Sequence, residues 1–166
     1  MKIRPLDATD VKILSILQKD GRIRFQKLAE RVALSASPCL SRVHRLETLG
    51  LIKGYMARLN LPKLKNHIEI VAEITLLEQG NHRQRTFVTY VKALPELIEL
   101  LEISGRSDYM ARFACESLGD YQLLVDKMIE NPGLRISNVT SHIVMRVVVE
   151  FTGYDLAPLL DENEIE

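Results

Sequence analysis

The first third of the chain repeats apolar residues at helical spacing in three stretches separated by polar breaks. The apolar positions are Val11, Leu14 and Leu17, then Phe25, Leu28, Ala29 and Val32, and then Leu40, Val43 and Leu46. Intervals of three and four residues place each group on one face of a helix. Asp7 suits the N-cap of the first helix, predicted over residues 8–19, and Asp20-Gly21 ends it. The pattern therefore predicts three consecutive amphipathic helices.

The third predicted helix is short and basic, and only Ala33 and Leu34 separate it from the second. Ser35 suits its N-cap, Pro38 is tolerated in its first turn, and Gly50 ends it. Polar groups occupy the face opposite the apolar stripe: Ser37, Ser41, His44, Arg45 and Thr48, with Arg42 at the edge. Hydroxyl, imidazole and guanidinium groups bond phosphates and base edges, and Arg grips guanine at two points.

Residues 51–59 predict a short hairpin-like element after the third helix. Three helices followed by a β wing form a winged helix-turn-helix, whose third helix enters the major groove of DNA. We therefore predict that Arg42 and Arg45 contact base edges while nearby cations attract phosphate. The candidate DNA-binding residues are Ser35, Ser37, Pro38, Ser41, Arg42, His44 and Arg45 on the third helix, with Arg22, Arg24, Lys27 and Lys53 around it.

The second half of the chain alternates between strand-like and helix-like patterns. The predicted elements are a strand over residues 68–77, a helix over 83–93, strands over 98–104 and 109–115, a helix around 121–129, and a last strand carrying Ile143, Met145, Val147, Val149 and Phe151. The order βαββαβ gives a ferredoxin-like sandwich, with two helices on one face of a four-stranded antiparallel sheet.

The predicted fold class is therefore α+β, an N-terminal winged helix-turn-helix domain followed by a ferredoxin-like βαββαβ domain. The predicted bounds are 1–60 for the first domain, 61–66 for a linker, 67–154 for the second domain and 155–166 for a C-terminal tail. The uncovered sheet face is predicted to offer Val71, Thr75, Val144 and Val148. Exposed apolar sheet favours a partner, and a homodimer would also space two third helices along DNA.

Charge divides the chain in the same place as the pattern does. Residues 1–65 hold 14 Lys and Arg against 5 Asp and Glu, a formal charge of +9. Residues 66–166 hold 8 against 17, a formal charge of −9, so the net charge of zero conceals two opposite halves. A basic amino-terminal third favours a polyanionic partner, and an acidic second half does not.

Several other classes of protein are disfavoured. Cys39 and Cys115 form no CxxC pattern, which indicates reduced thiols in a cytoplasm. The four histidines, His44, His67, His82 and His142, lack metal-ligand spacing, so no metal site is expected. We expect neither a signal peptide nor a membrane span. No nucleotide loop or nucleophile elbow occurs, so we expect no enzyme, no catalytic residues and no cofactor.

Residues 6–60 resemble the DNA-binding half of the Lrp/AsnC regulators, the feast/famine proteins of bacteria and archaea. The matching segments are LDATD at 6–10, LQKDGR at 17–22, PCLSRVHRLE at 38–47 and GLIKGY at 50–55. Ser41 and His44 stand where members of the family often carry charged residues. The resemblance implies a DNA-binding regulator whose base preference differs from that of its relatives.

The second half resembles the effector-binding domain of the same family, through SGRSDY at 104–109 and VTSHIVM at 139–145. In the family these segments line a small-molecule pocket at the contact between dimers, usually for an amino acid, and the dimers form an octamer, a tetramer of dimers. The implied effector-binding residues are Ile103, Gly105, Arg106, Ser107, Asp108, Tyr109, Val139, Thr140 and Ser141.

The chemistry of these segments suits an amino acid, although a simpler interpretation stays open. Gly105 permits a close backbone approach, Asp108 can pair with an ammonium group, and hydroxyls of Thr140 and Ser141 can receive a carboxylate. Gly-x-x-Asp is also an ordinary hairpin turn, in which Asp bonds nearby backbone. The segment from Gly133 to Ser141 is longer than in typical relatives, which weakens the transfer on this side of the pocket.

The sequence thus predicts a cytoplasmic, nucleoid-associated regulator that binds specific double-stranded DNA and responds to a small effector, an amino acid. One alternative is an architectural, effector-independent protein that organises DNA with little sequence preference. Another is an enzyme on the ferredoxin-like domain, but no acid and base lie in suitable register for it.

Overall fold

The computed structural model describes residues 6–77 and 81–161. Its elements are α1 (Ala8–Leu17), α2 (Phe25–Arg31), α3 (Ala36–Thr48), α4 (Leu61–Leu64), β1 (Ile68–Leu76), α5 (Asn81–Lys92), β2 (Leu97–Glu102), β3 (Tyr109–Cys115), α6 (Leu118–Glu130), β4 (Ile136–Ile143) and α7 (Pro158–Asp161). The chain forms two compact units, one of residues up to Arg58 with those from Val149 onward, and one of Leu59–Val148. Residues 1–5 of the predicted first domain, residues 162–166 of the predicted tail and the side chain of His82 lie outside this description.

The helical unit begins with a capped α1. The Asp7 carboxylate accepts a hydrogen bond from the backbone N–H of Asp10 at 2.8 Å, and the Asp10 carboxylate accepts from Asp7 N–H at 3.5 Å. This reciprocal capping box satisfies donors that a helix start leaves unpaired, and it confirms the predicted cap. Helices α1, α2 and α3 enclose a core of Ile13, Leu28, Ala29, Val32, Cys39, Val43 and Leu46.

The buried stripe of α3 differs from the predicted one by one residue. Cys39, Val43 and Leu46 are buried, whereas Leu40 is 36% exposed. The observed spacing of four and three residues follows the helical period more closely than three and three does. Ser35 has the extended backbone of an N-cap, but its hydroxyl makes no capping hydrogen bond. Gly50 follows the helix with a φ of +71°, as expected for a left-handed C′ residue.

The predicted β wing is not formed, because residues 51–60 contain no strand. Ile52 packs on the helical core, but Met56 is 94% exposed and Leu59 is 69% exposed, so the second part of this segment has little packing. An isolated two-stranded hairpin is marginal without such packing. The segment is therefore an extended connection, followed by the short helix α4 within the predicted linker.

The end of the chain packs on the helical unit. The side-chain amide of Gln18 donates to Tyr154 O at 2.7 Å, and Tyr154 N–H donates back to Gln18 Oε1 at 2.8 Å. The rings of Phe151 and Tyr154 meet edge to face, with centroids 5.0 Å apart. Arg58 forms an ion pair with Glu150.

The second unit has the predicted ferredoxin-like order βαββαβ. Its four strands form one antiparallel sheet in the order β2-β3-β1-β4. Alternate residues of β1 and β3 are buried against α5 and α6, and the ring centroids of Phe87 and Tyr109 lie 4.8 Å apart. The buried core is Ile70, Ala72, Ile74, Leu76, Phe87, Val91, Tyr109, Ala111, Phe113, Cys115, Tyr121, Leu124, Met128, Leu134 and Ile136.

The last strand was predicted too far along the chain. β4 ends at Ile143, which pairs with Ile70, and Val144 N–H still donates to Glu69 O at 2.9 Å. Because β1 begins at Ile68, an antiparallel partner beyond residue 144 has almost no strand left to pair with. The predicted strand residues beyond that point lie outside β4 and are exposed: Met145, Val147, Val149 and Phe151.

The uncovered sheet face is more charged than the sequence suggested. Val71 and Thr75 lie there as predicted and are half-buried, whereas Val144 and Val148 lie beyond the end of β4. Acidic and basic side chains share this face: Arg112 Nε lies 3.4 Å from Glu69 Oε2, and His142 Nε2 lies 3.6 Å from Glu73 Oε1.

Candidate DNA-binding and effector sites

The outward face of α3 is polar and nearly uncharged. Ser37, Ser41, His44 and Thr48 share this face, opposite Cys39, Val43 and Leu46, and all four are exposed. Their spacing of four, three and four residues forms a continuous stripe along the helix. His44 is the single ionisable side chain of the stripe, and its side chain is 69% exposed.

The two arginines of α3 contact α1. Arg42 Nη1 donates to Asp7 Oδ2 at 2.6 Å and to Asp10 Oδ1 at 2.8 Å. Arg45 Nη1 donates to Asp10 Oδ2 at 3.0 Å. The structure therefore places both guanidinium groups within the helical unit, so their predicted contact with base edges stays a prediction.

Asp10 is the centre of this ion-pair network. It is 0% exposed, whereas the side chains of Arg42 and Arg45 are each 31% exposed. A buried carboxylate is tolerated only when it is paired and hydrogen-bonded, and Asp10 gains both from α3. Burial raises the pKa of Asp7, but the Asp10 N–H and the Arg42 guanidinium outweigh burial and lower this pKa below its usual value. Only Asp7 was predicted, as an N-cap, and the pairing of Asp7 and Asp10 with α3 was not predicted.

A second network of polar contacts joins His44, Glu47 and Tyr55. Glu47 Oε2 lies 3.1 Å from His44 Nδ1, one turn along α3, and the Tyr55 hydroxyl donates to Glu47 Oε1 at 2.9 Å. Burial, and then the Glu47 carboxylate, raise the pKa of Tyr55 to about 12. Sequence analysis missed Glu47 and Tyr55 as site residues, because nothing in the residue spacing brings residue 55 back to α3.

The predicted phosphate-attracting cations are accessible. Arg22, Arg24, Lys27 and Lys53 are all exposed. Ser35 and Pro38 are exposed at the start of α3. These residues stay candidate DNA contacts.

The predicted effector segment after β2 forms a turn that closes the sheet. Asp108 Oδ2 accepts from Leu76 N–H at 2.7 Å, Asp108 N–H donates to Ile74 O at 3.0 Å, and Ile103 N–H donates to Asp108 O at 3.0 Å. Gly105 has a φ of +119°, a backbone conformation that favours glycine. The Asp108 carboxylate thus binds backbone at the end of β1, as expected for the alternative of an ordinary hairpin turn. Gly105 and Arg106 form the exposed tip of this turn.

The predicted effector residues fall on both faces of the sheet. Tyr109 and Val139 flank Ile74 on the helix-covered face, where Ser141 Oγ also lies 2.5 Å from the Tyr121 hydroxyl. Ser107 and Thr140 instead lie on the uncovered face beside Glu73. Ser107 Oγ donates to Glu73 Oε2 at 3.3 Å, and Thr140 pairs with Glu73 in the strand register. Glu73 and Tyr121 are site residues that sequence analysis missed.

A groove runs between α6 and β4 beside Ser141. It has a volume of about 270 Å³ and is lined by Leu118, Tyr121, Gln122, Val125, Asp126, Ser141 and Ile143. Within residues 6–77 and 81–161, no group of three or more His, Cys, Asp or Glu could hold a metal ion. Over the same ranges, every helix is too short or too polar to cross a membrane.

A helix-turn-helix unit with an exposed polar helix, joined in one chain to a ferredoxin-like unit, defines a class of DNA-binding regulators with a ligand-binding domain. Residues 6–47 match the AsnC-type helix-turn-helix domain, and residues 69–154 match the Lrp/AsnC ligand binding domain. The chain therefore belongs to the Lrp/AsnC family of transcriptional regulators.

Relatives with assigned names agree with this family. The chain is 38% identical to the transcriptional regulatory protein DoeX of Halomonas elongata, over 86% of this chain and 90% of that protein. It is also 38% identical to the leucine-responsive regulatory protein of Escherichia coli K12, over 87% and 88% of the two chains.

Solved structures show the same architecture. A transcriptional regulator from Neisseria meningitidis, determined as a complex with L-Met, superimposes with a TM-score of 0.85 at 28% identity, over 93% of this chain and 99% of that one. An AsnC family transcriptional regulator from Agrobacterium tumefaciens gives a TM-score of 0.82 at 28% identity, over 91% and 97%.

Proposed function

We propose that this protein is a sequence-specific regulator of transcription whose DNA binding or assembly responds to an amino acid. The observation that carries the proposal is the exposed polar stripe of α3, together with accessible cations in residues 1–65, which have a formal charge of +9. A polar stripe free of packing contacts can enter the major groove, and surrounding cations gain affinity by releasing counterions. Membership of the Lrp/AsnC family supports the same function.

The two kinds of DNA contact are divided between different residues. Arg22, Arg24, Lys27 and Lys53 supply attraction to phosphates, which is independent of sequence. Ser41 and His44 lie at the middle of the stripe and supply contacts to base edges. Arg42 and Arg45 also anchor α3 through Asp10, and their contact with base edges stays a prediction.

An amino-acid effector is proposed to bind near the turn after β2 and the facing part of β4. An ammonium group requires a carboxylate partner, which Glu73 offers beside the Ser107 and Thr140 hydroxyls. The backbone of the turn at Gly105 allows the close approach that a small carboxylate needs. The L-Met complex of the Neisseria meningitidis relative supports this class of ligand.

Assembly of several copies is the second part of the proposal. The uncovered sheet face carries half-buried Val71 and Thr75 beside ion pairs. Such a face favours contact with a second copy of the chain over exposure to solvent. We propose a homodimer, and an octamer built as a tetramer of dimers on the pattern of the family. A cytoplasmic, nucleoid-associated location follows from the proposed DNA binding.

The test combines DNA specificity with a ligand screen on the full chain. Selection from a library of randomised duplexes should enrich one sequence that binds at least about a thousandfold more tightly than random DNA. A thermal-shift screen against the twenty amino acids should raise the melting temperature for one class of them, because a ligand of the native state stabilises it by mass action. A specificity ratio near one, with no thermal shift, would instead support the architectural alternative.

A further inference from the structure

The ring of His44 is exposed on α3 and makes a polar contact with the next turn of the same helix. Its Nδ1 lies 3.1 Å from Glu47 Oε2, and the other Glu47 oxygen accepts from the Tyr55 hydroxyl at 2.9 Å. The Glu47 side chain is 35% exposed, about half as much as that of His44. The Glu47 carboxylate is therefore the less exposed partner of the contact, and the His44 ring is the more exposed one.

This geometry decides which ring nitrogen carries a proton. A carboxylate can only accept hydrogen bonds, and one Glu47 oxygen is already occupied by the Tyr55 hydroxyl. The His44 nitrogen that faces Glu47 must therefore be an N–H. In the neutral ring the proton then sits on Nδ1, and Nε2 is left as an acceptor.

Tyr55 is itself held in place. A Cβ added at Gly21 would lie 3.1 Å from Tyr55 Cδ1, so the phenol ring packs closely against the turn that ends α1. The raised pKa of Tyr55, about 12, keeps the hydroxyl protonated and therefore a donor at any physiological pH. Tyr55 thus connects a turn between helices to the polar stripe of α3.

Resting on the proposed DNA-binding function, we propose that Glu47 and Tyr55 are positioning residues that fix His44 as a base-reading acceptor. The neutral ring, with its proton on Nδ1, offers Nε2 to the major groove. The major-groove donors of the bases are the amino groups of adenine and cytosine. On the strand that it contacts, His44 therefore selects an adenine or a cytosine, whereas the O6 of guanine and the O4 of thymine repel Nε2.

Glu47→Gln gives a specific prediction, because glutamine has both an acceptor and a donor. Its oxygen still accepts from Tyr55, and its amide N–H then faces His44 Nδ1. The ring proton moves to Nε2, which becomes a donor suited to guanine. In selection from randomised duplexes, this variant should change the preferred base at one position from adenine or cytosine to guanine, by about five- to tenfold in relative affinity.

Three further variants test the roles of Tyr55 and His44 and control for the loss of a charge. Tyr55→Phe leaves Glu47 unanchored and should weaken the preference at that position without reversing it, while His44→Ala should abolish it. Glu30→Gln is the matched control. Glu30 is exposed on α2, so this variant removes the same charge from the same unit and should keep the parental base preference. Nitrogen NMR of the parent, assigned with His44→Ala, should show a proton on Nδ1 of His44 in the neutral ring.

Each failure has a distinct meaning. A parent without any preferred duplex contradicts the proposed regulatory function itself. A specific parent whose base preference survives His44→Ala overturns the role of His44, and one whose preference survives Glu47→Gln and Tyr55→Phe overturns the positioning role. A neutral His44 with its proton on Nε2 overturns the tautomer directly, whatever the Glu47 and Tyr55 variants do.

Discussion

At the scale of single residues, two carboxylates of α1 determine what two arginines of α3 can do. Arg42 and Arg45 are the most obvious DNA contacts in the sequence, and both are held by Asp10, which is 0% exposed. Asp7 was predicted as an N-cap, but its reciprocal partner Asp10 was not. The contacts of both carboxylates with α3 were not predictable either, because contacts between residues about 35 positions apart depend on how α1 packs on α3.

The double variant Arg42→Gln/Arg45→Gln should be strongly destabilised. It leaves the Asp10 carboxylate buried without a charged partner, which costs about 3–5 kcal/mol in comparable cases. The free energy of unfolding from urea titration measures the loss. The control Arg22→Gln/Arg24→Gln removes the same charge from exposed positions and should stay within about 0.5 kcal/mol of the parent. Equal stabilities for the two double variants would contradict a structural role for Arg42 and Arg45.

Asp7 should contribute to acid sensitivity. Its pKa in the folded protein is lowered below the ordinary value of 3.8, so the unfolded chain binds the proton more readily. The stabilisation is present above pH 3.8 and is lost as pH falls through the lower folded pKa. Asp7→Asn should therefore flatten the fall in stability at the acid end of a pH series. The two curves should run parallel above about pH 5. A parent and variant with the same acid slope would exclude this contribution.

At the scale of elements, the sequence predicts a helix or strand well when the spacing of its own residues defines its buried face. The alternation of β1 is confirmed, and most of the stripe predicted for α2 is buried. Phe25 of α2 is instead 46% exposed, and in α1 Leu14 and Leu17 are half-buried while Ile13 is fully buried. The wing and the extended last strand failed because each needs a backbone partner. Residues 51–60 contain no strand, and β1, which begins at Ile68, has almost no strand left to pair with residues beyond 144. Apolar content predicts a strand only where a neighbouring strand is available.

The segment after β4 was predicted as strand and tail, yet it packs on α1 through Gln18. Gly153 has a φ of +117°, and a Cβ there would lie 2.5 Å from Gln18 Cδ. Gly153→Ala should therefore destabilise the helical unit by about 1–3 kcal/mol through backbone strain. Limited proteolysis near residue 153 and thermal melting measure the effect. Gly119→Ala at the start of α6 is the control, because its nearest neighbour is the Ser117 hydroxyl at 3.6 Å and its backbone needs no glycine.

At the scale of the whole molecule, the charge of the chain is divided so that attraction to DNA and response to a ligand are encoded in different halves. Residues 1–65 carry +9 and residues 66–166 carry −9. This division, the ferredoxin-like order and the position of α3 were all predictable, because each sums many residues. The effector site was less predictable, since Asp108 closes a turn and the predicted residues face both sides of the sheet.

Salt dependence separates generic from specific contacts. Each phosphate contact that is lost should reduce the slope of log affinity against log salt concentration by about 0.9. Lys27→Gln should therefore lower the slope by about one contact and weaken binding equally on selected and random duplexes. His44→Ala should leave the slope unchanged and lower affinity only for the selected duplex, because the proposed contact of His44 is with a base edge rather than with a phosphate. If His44→Ala instead lowers the slope as Lys27→Gln does, the imidazole contacts a phosphate, and base preference must come from Ser41 and its neighbours.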